Sequence, residues 1–172
     1  MHMLRVVLIA VVSISIAHAE QASAADRGDS GFRIGLGFGT GTIDFDRGFN
    51  GDDTTLSAFA GYDLNQYVGV EASYTDGGSP QDLGVTVDRS EAAAMVVGSL
   101  PLIGDVWSVS ARAGVVAWSW SSAGLEHEGT DLAYGVGTAL DFKRMQFQLI
   151  GDTADIETAR IIHVSLRGAW KF

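Results

Sequence analysis

The chain has 172 residues, with 11 basic against 21 acidic side chains and a formal charge of -10. This argues against a nucleic-acid partner, because binding to phosphate backbones rests on Lys and Arg. Cysteine is absent, which excludes disulfides and thiolate metal sites, and no apolar stretch after the first 19 residues reaches the roughly 18 that a membrane-spanning helix needs.

At the N-terminus, Arg5 precedes an apolar run from Val6 to Ala17, and Ala17-His18-Ala19 closes it. A charge, a short apolar core and a small-x-small site make the pattern of a secretory signal peptide. Residues 1–19 are read as that signal, cleaved before Glu20; a second possible site, after Ala24, stays open. Residues 20–30 form a flexible lead-in, and 31–172 are one domain. The mature chain therefore begins outside the cytoplasm.

Eight segments with strand periodicity follow, and none with a convincing helical one. In the first, Phe32, Ile34, Leu36 and Phe38 alternate with Arg33 and glycines. The second sets Leu56, Ala58, Ala60 and Tyr62 against Thr55, Ser57, Gly61 and Asp63, and the third sets Val68, Val70, Ala72 and Tyr74 against Gly69, Glu71 and Ser73. In the fourth, about 88–100, hydropathy alone leaves the register open. Placing Ala92, Ala94, Val96 and Leu100 outward sends Arg89 and Glu91 inward, and that register is preferred because a lipid-facing charge costs roughly 2–4 kcal/mol near the bilayer midplane.

The fifth places Trp107, Val109, Ala111, Ala113 and Val115 opposite Ser108, Ser110, Arg112 and Gly114. The sixth, about 129–142, places Leu132, Tyr134, Val136, Leu140 and Phe142 opposite Asp131, Gly135, Gly137 and Asp141; the seventh sets Met145, Phe147 and Leu149 against Gln146, Gln148 and Asp152. In the last, Ile162, Val164, Leu166, Gly168, Trp170 and Phe172 share one face and His163, Ser165, Arg167 and Lys171 the other. That strand ends at Phe172 without a turn, so the economical partner is the first strand, and a sheet that pairs its own edges is a barrel. The lengths suit tilted membrane strands of about 9–11 residues. The fold class predicted is all-β, an eight-stranded antiparallel up-and-down transmembrane β-barrel.

Joins at 65–66, 101–104 and 143 are short, whereas 44–53, 75–87, 118–128 and 152–159 read as long loops rich in Gly, Asp, Glu and Ser. Both termini share the side of the short turns, so the long loops are expected outside the cell. They carry Asp44, Asp46, Asp52, Asp53, Asp76, Asp82, Glu126 and Glu128. A solvated rim is the preferred reading, with divalent-cation bridging to lipopolysaccharide phosphates as the sharper one.

Several motifs then stand in order: Gly61-Tyr62-x-Leu64-Asn65-x-Tyr67-x-Gly69-Val70-Glu71, Leu100-Pro101-Leu102, Ala111-Arg112-Ala113-Gly114, Tyr134-Gly135-Val136-Gly137 and Trp170-x-Phe172. From about residue 31 to the end the chain resembles the OmpA-like and OmpX-like family of small eight-stranded outer-membrane barrels. The resemblance implies an integral outer-membrane protein with a side-chain-filled interior, surrounded by outer-membrane lipid and lipopolysaccharide. Trp170 and Phe172 resemble the terminal signal that the barrel-assembly machinery reads. Glu71 and Arg112 match inward residues of the family, and with Arg167, Glu91 and Arg89 they are candidates for a lumen ion-pair cluster, since buried charges must be paired. The family's inward glutamate of strand six aligns with Ala139, and its inward arginine of strand seven with Gln148. A structural plug is accordingly preferred to an ion gate.

Other signals carry less. His163-Val164-Ser165 resembles the H-x-S element of lipid A deacylases but has Leu166 where those carry Asn, so a lumen polar pair is preferred to a nucleophilic site. His127 between Glu126 and Glu128 is read as solvated loop rather than a metal site. Trp118 and Trp120, with Tyr74 and Tyr134, are assigned to the outer interfacial belt, where carbohydrate stacking is conceivable; Tyr62, Trp107, Phe142 and Trp170 are assigned to the opposite one. No enzyme activity and no cofactor are expected. The function expected is structural or surface interaction, with an extracellular ligand possible through the loops; the alternatives are a lipid A-modifying hydrolase, a small gated ion channel and, more remotely, a soluble ligand-binding barrel.

Overall fold

Strands that are greasy on one side and polar on the other can lie in a membrane only if every backbone group is paired, which closure provides. The computed structural model describes residues 31–45, 50–77, 81–82, 85–104, 106–122, 125–156 and 159–172; the signal peptide, its two cleavage sites, the lead-in and Asp46 lie outside them. The described residues form β1 (Gly31–Phe45), β2 (Asn50–Asp63), β3 (Val68–Asp76), β4 (Gln81–Asp82), β5 (Val85–Ile103), β6 (Trp107–Ser122), β7 (Leu125–Phe142), β8 (Met145–Ile156) and β9 (Ala159–Lys171). Eight of them make an antiparallel ring in the order β1-β2-β3-β5-β6-β7-β8-β9, and β1 pairs with β9 from Arg33↔Lys171 to Phe45↔Ala159. The ninth, β4, is a two-residue strand on the start of β5. Phe172 N donates to Phe32 O at 2.9 Å, and the two rings lie 6.0 Å apart.

The outward face is apolar: Leu36, Leu56, Val96, Leu132 and Val136 are all more than half exposed. Its relief is uneven. Ala60, Ala72 and Ala94 stand side by side across β2, β3 and β5, with Ala58, Ala92, Ala111 and Ala113 around them. On the other flank Phe38, Leu166 and Leu149 form a row across β1, β9 and β8, and Leu140 pairs with Phe147.

The termini rim is closed by tight turns. Asn65 Oδ1 accepts from the backbone N of Tyr67 at 2.8 Å and of Val68 at 2.9 Å, an Asx turn that holds the β2–β3 hairpin. Gly104 and Lys143 adopt positive φ, +54° and +50°. At the far rim the expected long loops prove to be mostly strand. The ladders run on to Asp44↔Asn50, Ser122↔Leu125 and Ile156↔Ala159. Gly, Asp and Ser read locally as turn formers, but cross-strand pairing with a neighbour overrides that preference. Among the described residues, β7 pairs with β8 from Ala133↔Ala154 downward and β2 with β3 from Leu56↔Asp76 downward.

Candidate functional site

The site is the lumen, and the ladder rows build it. Arg33 of β1, Gly61 of β2 and Glu71 of β3 lie in one row. A Cβ on Gly61 would come within 2.9 Å of Arg33 Nε, so the missing side chain is what lets the guanidinium reach Glu71. Arg33 Nη2 donates to Glu71 Oε2 at 3.3 Å, Arg167 Nη1 donates to Oε1 at 2.8 Å, and Arg112 Nη2 donates to the same oxygen. One buried carboxylate thus holds three buried guanidiniums from β1, β6 and β9. Two more acids complete the group: Asp63 accepts from Arg33, and Asp152 lies 3.4 Å from Arg112 Nε and 3.6 Å from Arg167 Nη2. Three arginines face three carboxylates, so the cluster is neutral, the condition for burying it. The Arg167 guanidinium also sits 5.3 Å over the Phe59 ring.

Arg89 and Glu91 are not part of that cluster. They form a second group with His163: Arg89 Nε donates to Glu91 Oε1 at 2.7 Å, Arg89 Nη2 contacts His163 Nε2, and Glu91 Oε2 is 3.5 Å from the same ring nitrogen. A chamber of about 40 Å³, lined on one side by Thr55, Glu91, Asp152, His163 and Arg167 and on the other by apolar residues that include Met95 and Val116, separates the two groups; its volume would hold about three waters. Toward the termini rim the cluster is the floor of a vestibule of about 470 Å³ whose lining includes Arg33, Asp63, Lys143, Arg144 and Lys171. Within it Asp141 accepts from Lys171 Nζ at 2.9 Å and from Gln146 Nε2 at 3.0 Å, and Gln148 donates to Gln146.

Sequence reasoning missed Arg33 and Phe59 as lumen fillers and the acids Asp63 and Asp152 as partners. The signal was available, because all four share the parity of inward residues on their strands. The same parity corrects the tryptophans: Trp118 and Trp120 lie on the face of Arg112, inside. Trp118 packs against the apolar lumen cluster of Met95, Val97, Val116, Ala133 and Ala154, and its Nε1 donates to Asp131 at 2.6 Å. Trp120 stacks on His127 with ring centroids 4.8 Å apart. His127 belongs to strand β7 rather than a loop, and its neighbours Glu126 and Glu128 point to the other face, so the three cannot converge on one ion. His163 and Ser165 face the lumen, where Ser165 Oγ accepts from Arg167 Nε at 3.2 Å. Trp170 and Phe172 are exposed on the outer surface at the closing seam.

Residues 7–157 match the family described as the Outer membrane protein beta-barrel domain. No curated protein sequence matches the chain. Among solved structures, Neisserial surface protein A superposes with a TM-score of 0.65 at 16% identity, covering 85% of this chain and 100% of that one. Ail, the attachment invasion locus protein of Yersinia pestis, in complex with the heparin analogue sucrose octasulfate, gives 0.63 at 13% identity, covering 84% and 100%. The N-terminal β-barrel domain of Pseudomonas aeruginosa OprF gives 0.57 at 14%, covering 80% and 97%. At these identities the likeness is one of fold.

Proposed function

This chain belongs to the outer-membrane protein β-barrel domain family, and within it we propose a closed surface barrel, structural or adhesive, whose lumen is plugged by side chains. The observation that carries this reading is Glu71 bound to Arg33, Arg112 and Arg167 between the vestibule and the chamber. An ion that passed would have to displace paired buried charges, each of which is expensive to leave unpaired. The termini rim faces the periplasm in this reading, and the far hairpins face outward among lipopolysaccharide. There Glu126 and Glu128 stand exposed on the outer face of β7. Contacts at that rim favour cationic groups, including divalent cations shared with lipid phosphates, over the polysulfated ligand seen with Ail. Trp170 and Phe172, at the seam where the barrel closes, are the residues offered to the assembly machinery. A hydrolytic role is not proposed, because His163 and Ser165 point away from lipid.

Planar-bilayer recording tests the plug, with insertion checked by heat-modifiable migration on a gel. The native protein is expected to give no discrete openings, and Glu71→Ala and Arg112→Ala to introduce them. Frequent openings from the native protein would overturn the closed reading and place it among ion channels.

A further inference from the structure

The upper group contains what the plug lacks, an imidazole, a side chain that can either accept or donate at the same ring nitrogen. His163 Nε2 meets two groups with opposite demands. Arg89 Nη2 is a donor and requires a bare nitrogen; Glu91 Oε2, 3.5 Å away, is an acceptor and requires a protonated one. Both cannot be satisfied at once. We propose that His163 is a proton-operated latch: when neutral its Nε2 accepts from Arg89 and ties β5 to β9 across the lumen, and when protonated it turns to Glu91 and releases Arg89 from the roof of the chamber.

The surroundings fix the direction. Glu91 and His163 line the chamber, whereas Arg89 stands two residues further toward the far rim on the same face of β5. A bond to Glu91 therefore lies at chamber level, and the bond to Arg89 lies above it. Several charged and titratable groups face His163 besides Arg89 and Glu91. Asp152 is its cross-strand partner on β8, with Arg112 of β6 further along the same row; on the other side Gly41 of β1, which has no side chain, leads to Asp53 of β2, and Arg167 lies two pairs away on β9. From β6 and β7 the same face carries Asp131, engaged by Trp118, and His127, stacked on Trp120. With neutral His163, Arg89 and Glu91 cancel; a proton on the ring adds a positive charge that repels the guanidinium and attracts the carboxylate. Arg89 remains tethered through its 2.7 Å bond to Glu91, so the change is a swing rather than an expulsion. The latch is distinct from the Glu71 plug, and its failure would leave that plug intact.

A chain without cysteine allows a direct test in the intact protein. Thr55→Cys places one thiol in the chamber and Thr130→Cys places one on the exposed outer face; each is treated with a small methanethiosulfonate, and the rate ratio removes the reagent's own pH dependence. From about pH 8 to about pH 5.5 one coupled proton can shift an equilibrium by at most roughly 300-fold, and a rise of about tenfold in the ratio is expected. Adding His163→Gln should flatten the ratio, since the amide oxygen accepts from Arg89 at any pH. A ratio that stays flat with His163 present, or rises equally without it, overturns the latch. The unsubstituted protein gives a second readout by nitrogen NMR: the Arg89 side-chain signals should shift with the same midpoint as the His163 ring, and Arg89 signals indifferent to that titration would overturn it independently.

Discussion

Two neighbouring ladder rows run around the same wall of the lumen and are built from opposite materials. One reads Arg112, Gly135, Asp152, His163 across β6 to β9; the next reads Met95, Gly114, Ala133, Ala154, Ile161 across β5 to β9. In the first row each charge depends on a partner delivered from elsewhere, as Arg112 depends on Glu71 of β3. In the second, buried apolar groups depend only on the space being filled. Stability in the charged row is therefore a matter of matching, and in the apolar row a matter of volume.

That contrast breaks most visibly at Glu71. Glu71→Ala leaves three buried guanidiniums sharing one fewer acid, and a loss of about 3–5 kcal/mol is expected, read as a lower urea midpoint for the heat-modifiable form. A variant as stable as the native protein would mean that water already screens the cluster. Met95→Ala opens a void in the apolar row and should cost about 2–4 kcal/mol; its urea midpoint should move independently of salt, because no charge is involved. The smallest effect probes the corrected tryptophan. A Cβ on Gly129 would come within 2.8 Å of Trp118 Cε2, so Gly129→Ala should cost about 1–3 kcal/mol, and pairing it with Trp118→Leu should remove most of that cost. Additive losses would put the Trp118 ring elsewhere.

Much of this was legible in the sequence because period two assigns a face to every residue of a strand. The outward apolar set follows from that count, and so does the burial of Glu71, Arg112 and Arg167; Arg89 needed in addition the cost of a charge facing lipid, and closure needed the last strand's want of a partner. What was not legible came from two sources. Partnership across the lumen depends on the register between distant strands, so nothing local assigned Arg89 and Glu91 to His163 rather than to Glu71, or joined Asp63 to Arg33. Phe59, a large aromatic in an inward set that is otherwise small or polar, fits because Gly35 opposite it has no side chain. Composition misled where parity would have served: Trp118 and Trp120 read as belt residues by type, yet the alternation through Arg112, Gly114 and Val116 leads inward. The far-rim segments read as loops by composition while their ladders continue.

The alanine field on β2, β3 and β5 gives the barrel a smooth flank and the leucine and phenylalanine rows a knobbed one. Acyl chains on the smooth flank can lie nearer the backbone and stay straight, while those on the knobbed flank must bend around side chains. A first shell of lipid more ordered on one side of the protein than on the other is the outcome expected of that relief, which would give the molecule a direction within the plane of the membrane.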